Sequence, residues 1–159
     1  MSNRSGVIAV ALVLVAAGAR AQLPNPYGAS ITLENARKAA TVALAEARKN
    51  GWAMAAAVVD QAGDLVYYEK LDGTQAASAN IALEKARASA RFKRPTKALQ
   101  DTLAAGGEGL RILGLPGAVP VDGGVPIVMD GKIVGAIGLS GGTSAQDGQC
   151  ATAGAAALK

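Results

Sequence analysis

Residues Val119 to Ser144, VPVDGGVPIVMDGKIVGAIGLSGGTS, constrain the fold more than any other stretch, because two β-branched runs alternate there with glycines at fixed places. Val125 to Met129 and Ile133 to Leu139 read as strands. Asp130-Gly131 between them is the kind of dipeptide that tolerates the positive φ of a tight hairpin turn. Gly123-Gly124 precedes this ribbon and Gly141-Gly142 follows it, so the backbone carries no side chains where the sheet hands over to a helix near Ser144. Two readings stand for the paired glycines. Either they are turns, or they leave room for a ligand whose anionic group is held by helix N-terminal amides that glycine allows to approach. On the second reading Gly123, Gly124, Gly141, Gly142 and Thr143 bind the ligand.

The chain before the ribbon supplies the rest of a sheet and its cover. Leu33, Ala36, Ala40, Ala43, Leu44 and Ala47 recur at helical spacing, with Thr32 placed to cap the start and Asn50-Gly51 closing the end. Ala53 to Val59 and Leu65 to Leu71 form a second hairpin across Asp60 to Asp64. The nearly continuous apolar run Ala55 to Val59 predicts a strand covered on both faces, by helices or by a second copy of the chain. Helices follow at Ser78 to Lys93, stopped by Pro95, and at Thr96 to Ala105. Gly109 to Gly117 is a connector. The last helix, Ala145 to Leu158, has Ser144 and Asp147 spaced as a capping box and a core stripe of Cys150, Ala153, Gly154, Ala157 and Leu158. The element order is α-β-β-α-α-β-β-α. This predicts an α/β (α+β) architecture with helices packed on an antiparallel sheet of four strands, or five if Ala118 to Val121 adds a short one.

Aromatic residues make up only 3 per cent of the chain, so packing must come from small side chains on helices pressed against the β-branched sheet. The first 21 residues read as a signal peptide. Arg4 is the basic n-region, Val7 to Ala17 the apolar run and Ala19-Arg20-Ala21 the small-x-small cleavage site. The mature chain then starts at Gln22, with a lead at residues 22–30 and one domain at residues 31–159, and the protein works in the periplasm or as a secreted protein. The apolar run is too short for a good membrane span, so no stable span is expected after cleavage; the alternative reading keeps the segment as an uncleaved anchor. Formal net charge is +4, but Arg4 and Arg20 lie in the signal segment, and the remainder offers no clustered basic footprint for nucleic acid. The single cysteine, Cys150, has no internal disulfide partner and falls in a core stripe.

The chain contains no histidine. This excludes Ser-His-Asp and Cys-His catalysis and histidine-based metal sites, and no cysteine cluster replaces them, so no metal site is expected. The glycine pairs do not form a phosphate loop, because no Gly-Lys-Ser/Thr follows Gly142. Acids, amines and backbone donors remain. Lys85 falls on the apolar side of its helix, between the azimuths of Phe92 and Ser89, whereas Arg87, Arg91 and Arg94 fall on a basic side. Lys85 either snorkels to solvent or points into a pocket, where it would bind a carboxylate or act as a base, with Ser89 beside it. Asp122 and Asp60 are acids that also read as turn residues.

LEKARASA after YEKLDG, the segment GGVPIVMDGKIVGAIGLSGG and the closing QDGQCATAGAAAL resemble the GlcG/HbpS-like family, which includes the C-terminal domain of PduO-type proteins. The resemblance spans about Ile31 to Leu158. It implies a profilin-like fold, assembly into homo-oligomers and, for some members, haem binding outside the cell. This chain departs from members that ligate haem through histidine, so any ligand to iron would fall to Tyr, Met, Cys, Lys or Thr.

The expected function is an exported, oligomeric small-ligand-binding protein. Haem or another tetrapyrrole is the first candidate and a small organic acid the next, in a pocket between the Lys85 helix and the ribbon. The alternatives are an isomerase or lyase acting on a small carboxylate or carbonyl compound, and a structural oligomer without a ligand. In the enzyme Lys85 is the catalytic base, Asp122 assists, and the Gly141-Gly142 amides hold the anion.

Overall fold

The computed structural model describes residues 24–158; the expected signal segment and the expected mature start at Gln22 lie outside the described residues. Four helices and four strands follow in chain order: α1 (Leu33–Lys49), β1 (Ala55–Asp60), β2 (Leu65–Lys70), α2 (Ser78–Phe92), α3 (Thr96–Ala104), β3 (Gly124–Met129), β4 (Lys132–Ser140) and α4 (Ser144–Ala156). A 3-10 helix, Gly107–Gly114, lies between α3 and β3. The expected order holds. The sheet is antiparallel throughout, in the order β2-β1-β4-β3, so β1 and β4 are central and β2 and β3 are the edges. The fifth strand expected near Ala118 to Val121 does not form. Pro120 interrupts that stretch and lacks the N–H group a ladder needs, and the chain turns as it enters it, through a hydrogen bond from Ala118 N–H to the Leu115 carbonyl.

Both faces of β1 are buried, as its continuous apolar run requires. Alternation along the strand sends Ala56 and Val58 to the side of α1 and α4, and Ala55, Ala57 and Val59 to the side of α2. On the α2 side the packing is small residue against small residue. Ala82, Ala86 and Ala90 lie on Ala55, Ala57, Val59 and Ala136. Gly138 completes this contact, because a Cβ there would meet the Ala82 carbonyl oxygen and the Ala86 nitrogen. A chain so poor in aromatics fills its interior by bringing backbones close together.

Two expected stripes need correction. In α1 the buried face is Ala36, Ala39, Ala40, Ala43, Leu44 and Ala47, while Leu33 stands 53% exposed in the first turn, before the helix meets the sheet. In α4 the buried residues are Asp147, Gly148, Cys150, Ala151, Gly154 and Ala155, with Ala153 only half-buried, so the face is rotated toward Asp147. Cys150 is fully buried, and burial pushes its thiol up to about 11, as suits a small core residue. Arg87 and Arg91 on α2 fasten the β1–β2 turn, donating from Nε to the carbonyls of Gly63 and Ala62 at 3.2 and 2.9 Å. The lead runs beside β4. Gly28 N–H donates to the Ile133 carbonyl and Ile133 N–H to the Pro26 carbonyl, both at 2.8 Å.

Replacing Gly138 by Val is expected to lower stability by roughly 1–3 kcal/mol or more, because the obstructing atoms are helix backbone that cannot rotate away. A urea unfolding midpoint equal to that of the wild-type chain would show that α2 has room to lift from the sheet.

Candidate functional site

Helix α2 presents a buried face on which one residue is a lysine. The Lys85 side chain is 1% exposed, and its Nζ donates to Asp147 Oδ2 at 2.6 Å and to the Leu139 carbonyl at 3.2 Å. It therefore neither snorkels nor faces a groove. An ammonium group removed from water needs a compensating anion, and Asp147 provides it from the first turn of α4. The local geometry of α4 makes this pairing available. The capping box expected on Ser144 and Asp147 is displaced by one residue to Thr143 and Gln146. The Gln146 N–H donates to Thr143 Oγ1 at 3.3 Å, and the Thr143 N–H donates to Gln146 Oε1 at 2.9 Å. With Thr143 serving as the cap, the Asp147 carboxylate turns inward.

The paired glycines surround this ion pair. A side chain at Gly123 would meet Lys85 Nζ, the Asp147 Cβ and the Leu139 carbonyl, and Gly123 also holds a φ of 123° that favours glycine. Gly124 packs against the Lys85 carbonyl and donates its N–H to Thr96 Oγ1 at 2.9 Å. Gly142 donates its N–H to Asp147 Oδ1 at 3.0 Å, and Gly141 lies against Ala53. The anion held at the start of this helix is thus the protein's own carboxylate. Burial pushes the Asp147 carboxyl above the ordinary carboxylate range, against the Lys85 ammonium and the Gly142 N–H, which favour the charged form.

The structure gathers Lys85, Gly123, Gly124, Gly142 and Thr143 around Asp147. Asp122 adjoins this cluster, with Oδ1 accepting from the Gly123 N–H at 2.7 Å and its own N–H donating to Gln100 Oε1 at 2.8 Å. Ser89, one turn along α2, is fully buried and its hydroxyl has no partner among the described residues. Asp60 is a turn residue, its Oδ1 accepting from the N–H groups of Ala62, Gly63 and Asp64 at 2.9 Å each. Asp147 is the residue that sequence reasoning left in a capping role. The signal was there in principle, since a lysine on an apolar helix face calls for a carboxylate elsewhere in the chain.

Open space lies along the edge strand β3. One groove of about 530 Å³ runs between the start of α3 and α4, with Asp122 among its lining residues and Lys97 on its rim. Another, of about 490 Å³, lies between the C-terminal end of α2 and the ribbon, and the lysine that lines it is Lys93 and not Lys85. Its walls are Pro24, Pro95, Val125, Pro126, Val128 and Ile133, and Asn25 is the other polar residue lining it. Lys93 closes α2 in a left-handed conformation, φ 55°, that is uncommon for a side chain larger than glycine or asparagine. Its Nζ lies 4.1 Å from the centroid of the Tyr27 ring, a cation–π contact. The Tyr27 hydroxyl in turn donates to the Ala90 carbonyl at 2.9 Å. The groove thus combines a mostly apolar lining with one cation, held against the Tyr27 ring, which suits an apolar molecule carrying an acid.

Residues 31–156 match the family described as Haem degrading protein HbpS-like. The chain is 41% identical to the protein GlcG of Escherichia coli K12 over 95 residues, which are 60% of this chain and 69% of GlcG. It is 32% identical over 121 residues to an uncharacterised 15.0 kDa protein of the dhaT-dhaS intergenic region of Citrobacter freundii, covering 75% of this chain and 85% of that protein. Among solved structures, a double mutant of Streptomyces reticuli HbpS superposes with a TM-score of 0.76 at 33% identity, over 96% of this chain and 99% of that one.

Lys85→Met leaves a buried carboxylate without its ammonium and is expected to lower stability by about 3–5 kcal/mol near neutral pH, measured by urea unfolding. Burial raises Asp147, so the folded chain takes up its proton at higher pH than the unfolded chain does. This contribution favours the fold at low pH and is lost as pH rises through the folded pKa, so the Lys85→Met deficit should shrink as pH is lowered. Adding Asp147→Leu should recover most of the loss. Equal unfolding midpoints for Lys85→Met and the wild-type chain would show that the pair does not hold α2 to α4.

Proposed function

Because the chain belongs to the family described as Haem degrading protein HbpS-like, we propose that it binds haem or a related tetrapyrrole in the groove between the end of α2 and the ribbon. The observation that carries this reading is the groove's chemistry. Six apolar residues, three of them proline, make rigid walls, and Lys93 is the charged residue among the described residues that line it. A porphyrin has the matching form, with wide apolar faces and carboxylates at one edge. Its volume class also suits a small-molecule site. A small organic acid would use Lys93 but leave the apolar walls uncovered. The residues fit the ring and its acid edge. Val125, Pro126 and Val128 would cover the macrocycle and Lys93 would pair with a carboxylate, while bound haem would supply redox-active iron.

A proton-transfer enzyme with Lys85 as base gains no support from this geometry. Lys85 is ion-paired away from solvent, and the Gly142 amide is engaged by Asp147.

We further propose export with cleavage before Gln22, leaving residues 31–159 as one domain, and assembly with copies of itself. The first is supported by the order of basic, apolar and small residues in residues 1–21. The second is supported by Leu110, Leu113, Leu115 and Val121, which stand 42–68% exposed in and after the 3-10 helix. Cell fractionation, N-terminal sequencing and light scattering check both. A cytoplasmic, uncleaved monomer would remove them.

Titration of the purified mature protein with haemin is expected to give a saturable shift of the Soret band. Val128→Glu, which puts a carboxylate into the apolar wall, is expected to weaken it by at least about tenfold. Absence of a saturable shift in the wild-type chain would remove haem from this reading.

A further inference from the structure

We propose that the groove recognises the tetrapyrrole by its ring and its acid edge and gives the central metal no protein ligand, so that a metal-free porphyrin binds as well as haemin does. The inference rests on the tetrapyrrole reading above and deepens it.

It follows from the lining of the groove, which among the described residues holds no threonine, tyrosine, methionine or cysteine, and from where the candidate iron ligands outside that lining stand. Histidine is absent from all 159 residues. Cys150 is fully buried against α1 and the sheet, with its thiol raised to about 11, and Met54 is fully buried in the same core. Met129 packs against that core, and its Sδ accepts from Asn35 Nδ2 at 3.9 Å, beside a different groove. Tyr67 and Tyr68 lie on β2, the edge opposite β3. Tyr67 moreover donates to Glu69 Oε2 at 3.0 Å. Tyr27 is close by, but its hydroxyl is engaged, donating to the Ala90 carbonyl at 2.9 Å, and its ring faces Lys93. Lys93 is left, and an ammonium has no lone pair to give. Its place over the Tyr27 ring is that of a cation.

What the groove does offer is independent of any metal. Pro24, Pro95 and Pro126 present rigid surfaces, and apolar contact scales with the ring area covered. Pro126 also removes an N–H from the exposed edge of β3. That edge is therefore a poor template for an extended peptide, and the groove favours a flat molecule over a strand.

The test compares haemin with metal-free protoporphyrin IX on the full mature protein, by absorbance and by porphyrin fluorescence. Dissociation constants within about threefold of each other are expected. Lys93→Glu is expected to weaken both by the same factor, about tenfold. Bound haemin should change its spectrum when free imidazole is added, because its axial positions are open to an outside ligand. Haemin binding more than about tenfold tighter than the metal-free ring, or a low-spin spectrum unmoved by imidazole, would overturn the inference and leave the haem reading intact. Binding of neither compound would overturn both.

Discussion

The Lys85–Asp147 pair holds together parts of the fold that otherwise touch only through the sheet. Helix α2 packs on one face and α4 on the other, so a contact from Lys85 to Asp147 has to cross the plane of the sheet. It does so at the end where β3 begins and β4 finishes, and that is where both glycine pairs stand. The pair is not to be counted as a large net source of stability. Removing both charges from water costs several kcal/mol per ion, and attraction in the interior returns that only when geometry and further hydrogen bonds are good. The carbonyl of Leu139 and the N–H of Gly142 complete the set. The pair instead fixes position: it allows one relation between α2, the sheet end and α4, since any other leaves a charge alone in an apolar interior.

This arrangement also decides where a ligand can go. Between α2 and the sheet the interior is filled by alanine and glycine at backbone distance, which leaves little room there for a ligand among the described residues. Two grooves lie outside this packing along edge strand β3, where the end of α2, the start of α3 and the N-terminal lead stand apart from one another. The ion pair beneath Gly123 is a foundation for this edge, because Gly123 and Gly124 lead directly into β3.

Much of this was legible in the sequence. Both hairpins, the four helices, the Thr32 cap and the burial of Cys150 follow from local pattern, which depends on residues close in the chain. The glycines of the ribbon could be seen to need bare backbone, but not what would fill the space, because Asp147 comes from another element. Local pattern also placed Asp147 in a capping box that Thr143 and Gln146 form one residue earlier. The two assignments are equivalent in helical spacing, and only the buried lysine distinguishes them. Lys93 went unremarked because its role depends on a left-handed turn at the end of α2 and on Tyr27, far away in sequence.

The strand order has a consequence for when the molecule can fold. The sheet runs β2-β1-β4-β3, so the central neighbour of β1 is the last strand made, and α4, which covers the same face as α1, is later still. A nascent chain that ends before residue 140 has one isolated hairpin and helices with little to lie on, and isolated hairpins are marginally stable in water. Lys85 likewise waits for a partner 62 residues downstream. Contacts that close such long loops form late and slowly. The strand order therefore lets the core close only when nearly all of the chain has been synthesised, so folding of this domain is set by its last quarter and not by its first hairpin.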